Sequence, residues 1–134
     1  MKKIFLIAAI FFLLMTNTSF AALENGSDGL SYWNGNPYLL LIDSGSAFGT
    51  LADLAKIRVT YNKSNGIEFT VNTFTVNYKS GVVSHNKAWT FYEDYRTGDI
   101  YANGRKWIGD SDTSYQVQSK FKKFNKMKNI ALGH

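Results

Sequence analysis

Apolar and polar residues alternate along most of this chain, and the alternation predicts strands. In "IRVTY", Ile57, Val59 and Tyr61 point one way, and Arg58 and Thr60 the other. "YLLLID", Tyr38 to Asp43, is a short apolar run closed by the turn-prone "DSGS". The segment "IEFTVNTFTVNYK" is longer and has a peculiarity. Ile67, Phe69 and Val71 share one parity, while Phe74, Val76 and Tyr78 share the other. The cause is a doubled F-T-V-N offset by five residues. Because strand side chains alternate with period two, an odd offset sends the second copy to the opposite face. The pattern requires either a β-bulge near Asn72-Thr73 or a strand covered on different faces along its length. In "VVSHNKAWTFYEDY", Trp89, Phe91 and Tyr95 share a face and Tyr92 lies opposite. Turn signals at "NKSNG", "KSG", "RTGD" and "NG" separate these runs. Together they predict an antiparallel meander of about five or six strands. Between them, "FGTLADLAKI" holds Asp53, which is placed to cap a helical turn or make a tight bend.

The period changes after residue 110. Ser111 and Asp112 are candidate caps, and Val117, Phe121 and Phe124 fall on one helical stripe to which Ala131 returns. Lys120, Lys122, Lys123 and Lys126 lie away from the centre of the stripe. Lys128 falls on it and must snorkel or mark the end of docking. Gly133 is a suitable stop. The expected fold is therefore α+β: a twisted antiparallel sheet with a C-terminal amphipathic α-helix packed on one face. The polar, Gly/Asn-rich stretch 22–36 reads as a flexible N-terminal arm anchored by Tyr32 and Trp33. Residues 37–134 form the single domain.

Residues 1–21 read as a secretory signal peptide. Lys2 and Lys3 supply the charge, Ile4 to Met15 the apolar run, and Ser19-Phe20-Ala21 the small-x-small site. The apolar run is shorter than the roughly 20 residues a membrane span needs. No transmembrane segment is expected after cleavage, and the chain is expected in the periplasm or outside the cell. Without Lys2 and Lys3, the count of basic against acidic residues falls from 15 against 10 to 13 against 10. Much of the apparent basicity thus sits in the leader. The chain has no Cys, which excludes disulfides, a thiol nucleophile, Cys-bound metal and lipid attachment through Cys.

Candidate chemistry is sparse. "LLLIDSGS" resembles the active-site loop of aspartic proteases, in which two carboxylates share a proton. A chain with one such motif would use Asp43 in a dimer, and "IALG" matches the later apolar-apolar-Gly strand only in letters. The simpler reading is a hairpin turn. His85 stands alone, without Cys or a second ligand at metal spacing. Glu93 and Asp94 are neighbours on a strand and point to opposite faces, so they do not converge for acid/base work; with Asp99 they read as a solvated turn. "GDSDTS" reads as a helix start. No cofactor or metal is implied. "KFKKFNKMK" interleaves bases with aromatics, which suits nucleic acid, heparin-like polyanions or anionic lipid; the simpler reading is a docked helix with a solvated basic face. An export signal argues against intracellular nucleic acid. The candidate binding residues are Lys122, Lys123 and Lys126, with Tyr92 and Tyr95 from the aromatic surface.

From Tyr38 to Tyr78 the order of signals is also informative. An apolar strand Leu39 to Asp43 is followed by a polar turn with Gly49. Leu51, Asp53 and Ile57 form an apolar-Asp-x-x-x-Ile bend, and a strand from Arg58 to Tyr61 comes next. With the long Phe/Val strand and the C-terminal helix, this order resembles small exported bacterial domains of the surface-adhesin E type and related secreted families. The resemblance implies an antiparallel sheet with a C-terminal helix, and an adhesin-like role in binding extracellular proteins. The chain departs from the family in carrying Lys56 where Ser is common and in lacking a C-terminal Cys.

Overall fold

The computed structural model describes residues 22–133. The expected signal peptide, 1–21, lies outside them. The chain forms an antiparallel sheet and one C-terminal helix. The strands are β1 (Leu23–Asn25), β2 (Ser31–Trp33), β3 (Leu39–Ser44), β4 (Phe48–Lys63), β5 (Gly66–Asn77), β6 (Val83–His85), β7 (Trp89–Asp94), β8 (Ile100–Ala102) and β9 (Arg105–Lys106). The helix is α1 (Ser114–Ala131). Neighbours run in chain order from β1 to β9, except that β6 and β7 share one edge of β5. The end strands β1 and β9 do not pair, so the sheet is open.

Nine strands replace the five or six expected. Two of the additional strands come from the stretch read as a loose arm. There, Asp28 accepts from the Leu30 N–H at 3.0 Å and Gly26 N–H donates to Leu30 O at 2.8 Å, which closes the β1–β2 hairpin. Leu30, Tyr32 and Trp33 are buried, and that burial holds the hairpin to β3. At the other end, Asn103 and Gly104 both have positive φ, 53° and 84°. This is the signature of the tight Asn-Gly hairpin turn, and it makes β9 a separate strand.

The stretch expected to hold a helical turn at Asp53 is instead the middle of β4. Opposite β5 the pairing runs from Ala52↔Thr73 directly to Ile57↔Val71. Asp53 to Lys56 therefore face the single residue Asn72, and Asp53 Oδ1 accepts from Ala55 N–H at 3.0 Å. The tight bend is an Asx turn inside a strand. β5 itself keeps its alternation, so the doubled F-T-V-N needs no bulge there. Ile67, Phe69, Val71 and Thr73 are buried in one direction. Phe74, Val76 and Tyr78 point in the other.

Each direction has its own cover. On the helix side, Phe69, Phe91 and Phe124 are fully buried, with ring centroids 5.5–6.1 Å apart. Leu40, Ile42, Ala52, Ile67 and Met127 complete this core. On the helix-free side, Leu41, Leu51, Val76 and Trp33 form a second, smaller core against Leu39, Phe74 and Tyr78. Large rings lie over cross-strand neighbours on this side of the sheet. Tyr78 lies over Gly49, where a Cβ would meet its hydroxyl. Tyr92 lies over Gly66 in the same way: a Cβ there would come within 2.6 Å of both the Tyr92 hydroxyl and the Glu93 carbonyl. Because the second obstacle is backbone, Gly66→Ala is expected to destabilise by about 1–3 kcal/mol through overpacking. Gly109→Ala, whose Cβ meets nothing within 4 Å, should change stability by less than about 0.5 kcal/mol. Paired urea melts measure the contrast.

α1 is capped by Thr113, whose hydroxyl accepts from Gln116 N–H at 3.2 Å, while the Gln116 side chain accepts from Thr113 N–H at 2.8 Å. This capping box displaces the start past the expected Ser111 and Asp112. Asp112 instead accepts from Gly109 N–H at 2.9 Å and from Lys120 Nζ at 2.8 Å. The buried stripe also differs from the expected one. Phe124 and Met127 are fully buried, which turns the inward face toward Lys120 and away from Phe121, 40% exposed. Lys120 tolerates this position because its ammonium reaches the Trp107 carbonyl at 2.7 Å as well as Asp112. Lys128 snorkels as expected, to Glu93 Oε1 at 2.8 Å. Gly133 ends the helix at φ +81°.

The Lys120 hydrogen bond, helped by Gly109 N–H, holds the Asp112 carboxyl below its ordinary value of 3.8. A carboxyl depressed by folding stabilises the fold above its unfolded value, and the contribution is lost as pH falls through the folded value. Asp112→Asn should therefore lower the melting temperature near neutrality and flatten its decline between about pH 5 and pH 2. Melting curves across that range test this.

Candidate functional site

The helix-free face divides into two halves. The half built on β2, β3, the start of β4 and the end of β5 is the small apolar core. The other half carries polar and aromatic side chains. Its centre is a row of directly opposed residues crossing five strands. Tyr61 on β4 pairs with Glu68 on β5, Glu68 with Tyr92 on β7, Tyr92 with Tyr101 on β8, and Tyr101 with Lys106 on β9. At about 4.8 Å between strands the row spans roughly 19 Å. The Tyr61 and Tyr92 rings lie 6.5 Å apart, and those of Tyr92 and Tyr101 6.3 Å. All three are partly exposed. Arg58, Thr70 and Thr90 form the next row. A shallow groove of about 400 Å³ lies along the platform, lined by Glu68, Thr90, Tyr92, Asp94, Arg96, Tyr101 and Gly104.

The groove is rigid on one side. Asp94, 8% exposed, accepts from Arg96 N–H at 2.9 Å, Nε at 3.2 Å and Nη2 at 3.0 Å. The Arg96 hydrogen bonds hold the Asp94 carboxyl below its ordinary value, so it stays ionised. Thr60 Oγ1 donates to Glu68 Oε1 at 2.7 Å, and Tyr61 donates to Asn65 Oδ1 at 2.6 Å. Desolvation, and then the nearby Asp94, push the Tyr92 phenol up. It remains a neutral donor at physiological pH. Lys106 lies 3.6 Å from Asp99. Across this half, Arg58, Lys63, Arg96 and Lys106 stand among Glu68, Asp94 and Asp99, which leaves one cation in excess.

The five residues expected to bind do not come together. Lys126 is engaged at the N-terminal hairpin, 3.2 Å from Asp28 Oδ2 and over the Tyr32 ring at 5.9 Å. Tyr32 donates to the same Asp28 oxygen at 2.5 Å. Burial alone would raise Asp28, but the hydrogen bonds from Tyr32, Leu30 N–H and Lys126 outweigh it and hold the carboxyl low. This trio borders a cavity of about 270 Å³ between the hairpin and α1. Lys122 is exposed beside Gly29. Burial pushes the Lys123 ammonium down, opposed by Asp43 and reinforced by Lys120. Three of the five lysines from Lys120 to Lys128 are thus spent on carboxylates. Tyr92 and Tyr95 lie on opposite sides, since the Tyr95 ring sits under Lys128 of α1, its centroid 5.1 Å from Nζ.

Two tyrosines of the row, Tyr61 and Tyr101, are not among the candidate binding residues. Tyr61 was expected to face with Ile57 and Val59. A register shift between Val59 and Tyr61 turns it to the helix-free side, opposite Glu68. Nothing in the alternation signals that shift. Tyr101 follows directly from "IYA", since Ile100 is buried and its neighbour must point away.

The other candidates are dispersed. Asp43 is exposed at the end of β3, where Gly45 N–H donates to Phe48 O at 2.8 Å and closes the turn to β4. His85 is exposed on β6, 4.9 Å from the Phe74 ring. Glu93 and Asp94 point to opposite faces, and Asp94 opens the expected turn, its carbonyl accepting from Gly98 N–H at 2.7 Å; both carboxylates are paired, Glu93 with Lys128 and Asp94 with Arg96. Among the described residues, no three His, Cys, Asp or Glu gather as metal ligands, and no helix is long and apolar enough to cross a membrane. Comparison of the chain with protein-family models, curated proteins and solved structures finds no match.

Proposed function

We propose that this chain is an exported, non-enzymatic binding domain with an adhesin-like role, and that it meets its ligand through the polar half of the helix-free sheet face. The observation that carries the reading is the row Tyr61–Glu68–Tyr92–Tyr101–Lys106. Tyr rings combine apolar area with a polar tip at low entropic cost, which is why they dominate recognition surfaces. Short antiparallel strands hold these rings at fixed spacing. Of the helix lysines expected to bind a polyanion, Lys126 is paired with Asp28, which leaves Lys122 and Lys123 to carry that second reading. The resemblance to surface-adhesin E domains points to binding as well.

The test uses residues 22–134 as purified protein, titrated onto immobilised extracellular-matrix proteins and purified envelope polysaccharides. Saturable binding to at least one component, with no release of peptides from an unfolded protein substrate, is the expected result. Peptidase activity that disappears in Asp43→Asn would replace this reading with an enzyme.

A further inference from the structure

We propose that the tyrosine platform takes an extended, uncharged glycan chain laid across the strands. This deepens the binding reading and rests on it. Three features of the face select this ligand class. The first is shape. The groove is shallow and continues as a row of about 19 Å across five strands, which suits a linear chain better than a small molecule held in a pocket. The second is the pattern of surfaces. An aromatic ring presents a negative face, and the C–H groups on one side of a pyranose carry partial positive charge and form a flat apolar patch. Tyr92 and Tyr101 offer two such faces, 6.3 Å apart. Sugar hydroxyls at the edge of the same ring need both donors and acceptors. Around the rings stand Glu68 and Asp94 as acceptors, Arg96 as donor and Thr90 as either. Among the described residues, the Tyr92 and Tyr101 hydroxyls make no hydrogen bond that would have to be broken first. The third feature is charge. Four cations and three anions are interspersed on this half of the face, an excess of one, so a polyanion gains little steering and a neutral chain loses nothing by lacking charge.

A protein partner would need a different surface. Interfaces with proteins are centred on a fully buried apolar patch. On this face the aliphatic and tryptophan side chains have already closed over one another in the other half, around Leu51 and Val76. The polar half offers hydroxyls and ion pairs around each ring.

The experiment is native gel electrophoresis of residues 22–134 through gels containing dextran, xylan, laminarin or hydroxyethylcellulose, with heparin and gelatin gels alongside. At least one neutral polysaccharide should retard the protein. Tyr101→Ala should weaken that retardation about tenfold or more, and Tyr92→Ala similarly. Tyr92→Phe keeps the ring and should retain most of the retardation. Tyr115→Ala removes an 81% exposed tyrosine on α1 and should change nothing. Circular dichroism of each variant confirms folding. If Tyr92→Ala fails to fold because its ring covers Gly66, Tyr101→Ala and Tyr61→Ala decide the matter. Retardation by gelatin alone would overturn the glycan and leave a protein-binding domain. Retardation by heparin alone would overturn it in favour of the lysines. Equal loss in Tyr115→Ala would overturn the assigned face. No retardation in any gel would overturn the glycan and count against the binding reading as well.

Discussion

Replacing Phe124 with alanine should cost about 3–5 kcal/mol, a large share of the 5–15 kcal/mol that holds a domain of this size together. Phe124 is fully buried and is the only aromatic residue that α1 sends into the sheet core, where it packs on Phe69 and Phe91. Truncation leaves a cavity that its neighbours cannot fill. Phe69 and Phe91 are fixed on β-strands, and Met127 is one turn away and already fully buried. The helix is 18 residues long and carries its own capping box, so it can form transiently without docking. The cost should therefore appear mainly as lost tertiary fluorescence at lower urea, with helical circular dichroism following. Phe121→Ala provides the internal control. Three residues away and 40% exposed, it should shift stability by less than about 0.5 kcal/mol. If the two substitutions cost the same, the inward stripe runs through Phe121 and the helix is rotated from the position described.

The second large effect is expected on the side the helix never touches. Leu51 is fully buried there, opposite Leu41 on β3 and Phe74 on β5. Leu51→Ala should cost about 2–5 kcal/mol, although no second layer of secondary structure covers it. The cover is made of side chains: Trp33, Phe74 and Tyr78 close over Leu51 and Val76. Denaturant melts followed by tryptophan fluorescence and by far-ultraviolet circular dichroism should move together, because both cores share β4 and β5. A cost below about 1 kcal/mol, as at an exposed sheet surface, would show that this cluster is open to solvent and that the two-sided account of β5 is wrong.

That two-sided strand is legible in the sequence. The doubled F-T-V-N demanded either a bulge or a change of covered face, and β5 takes the second course. The bulges fall on other strands instead: on β4 at Asp53–Lys56 and between Val59 and Tyr61, and on β3 at Ile42. Alternation cannot reveal a bulge, because the extra residue looks like one more step in the pattern. Tyr61 departs from its alternation for this reason. The arm 22–36 departs from its expected looseness for another. Its composition is that of a loop, and only the burial of Leu30, Tyr32 and Trp33 against the rest of the sheet orders it. In the helix, Phe121 and Phe124 are indistinguishable by type. The difference arises because Lys120 finds Asp112 and the Trp107 carbonyl, which lets the buried face turn toward a lysine. The tyrosine platform combines both situations. Tyr92 and Tyr101 follow from local alternation, but their alignment with Glu68 and Tyr61 depends on register between distant strands.

The claim that most needs testing is that contact with a ligand runs through the tyrosine row and leaves the helix lysines out. The direct measurement compares three forms of residues 22–134 on one panel of immobilised polysaccharides and matrix proteins: the unaltered chain, Tyr92→Phe/Tyr101→Ala, and Lys122→Ala/Lys123→Ala/Lys126→Ala. The account predicts that the lysine triple variant is retained like the unaltered chain, with little dependence on salt, while the tyrosine variant elutes early. Retention lost in the lysine variant and kept in the tyrosine variant would contradict it.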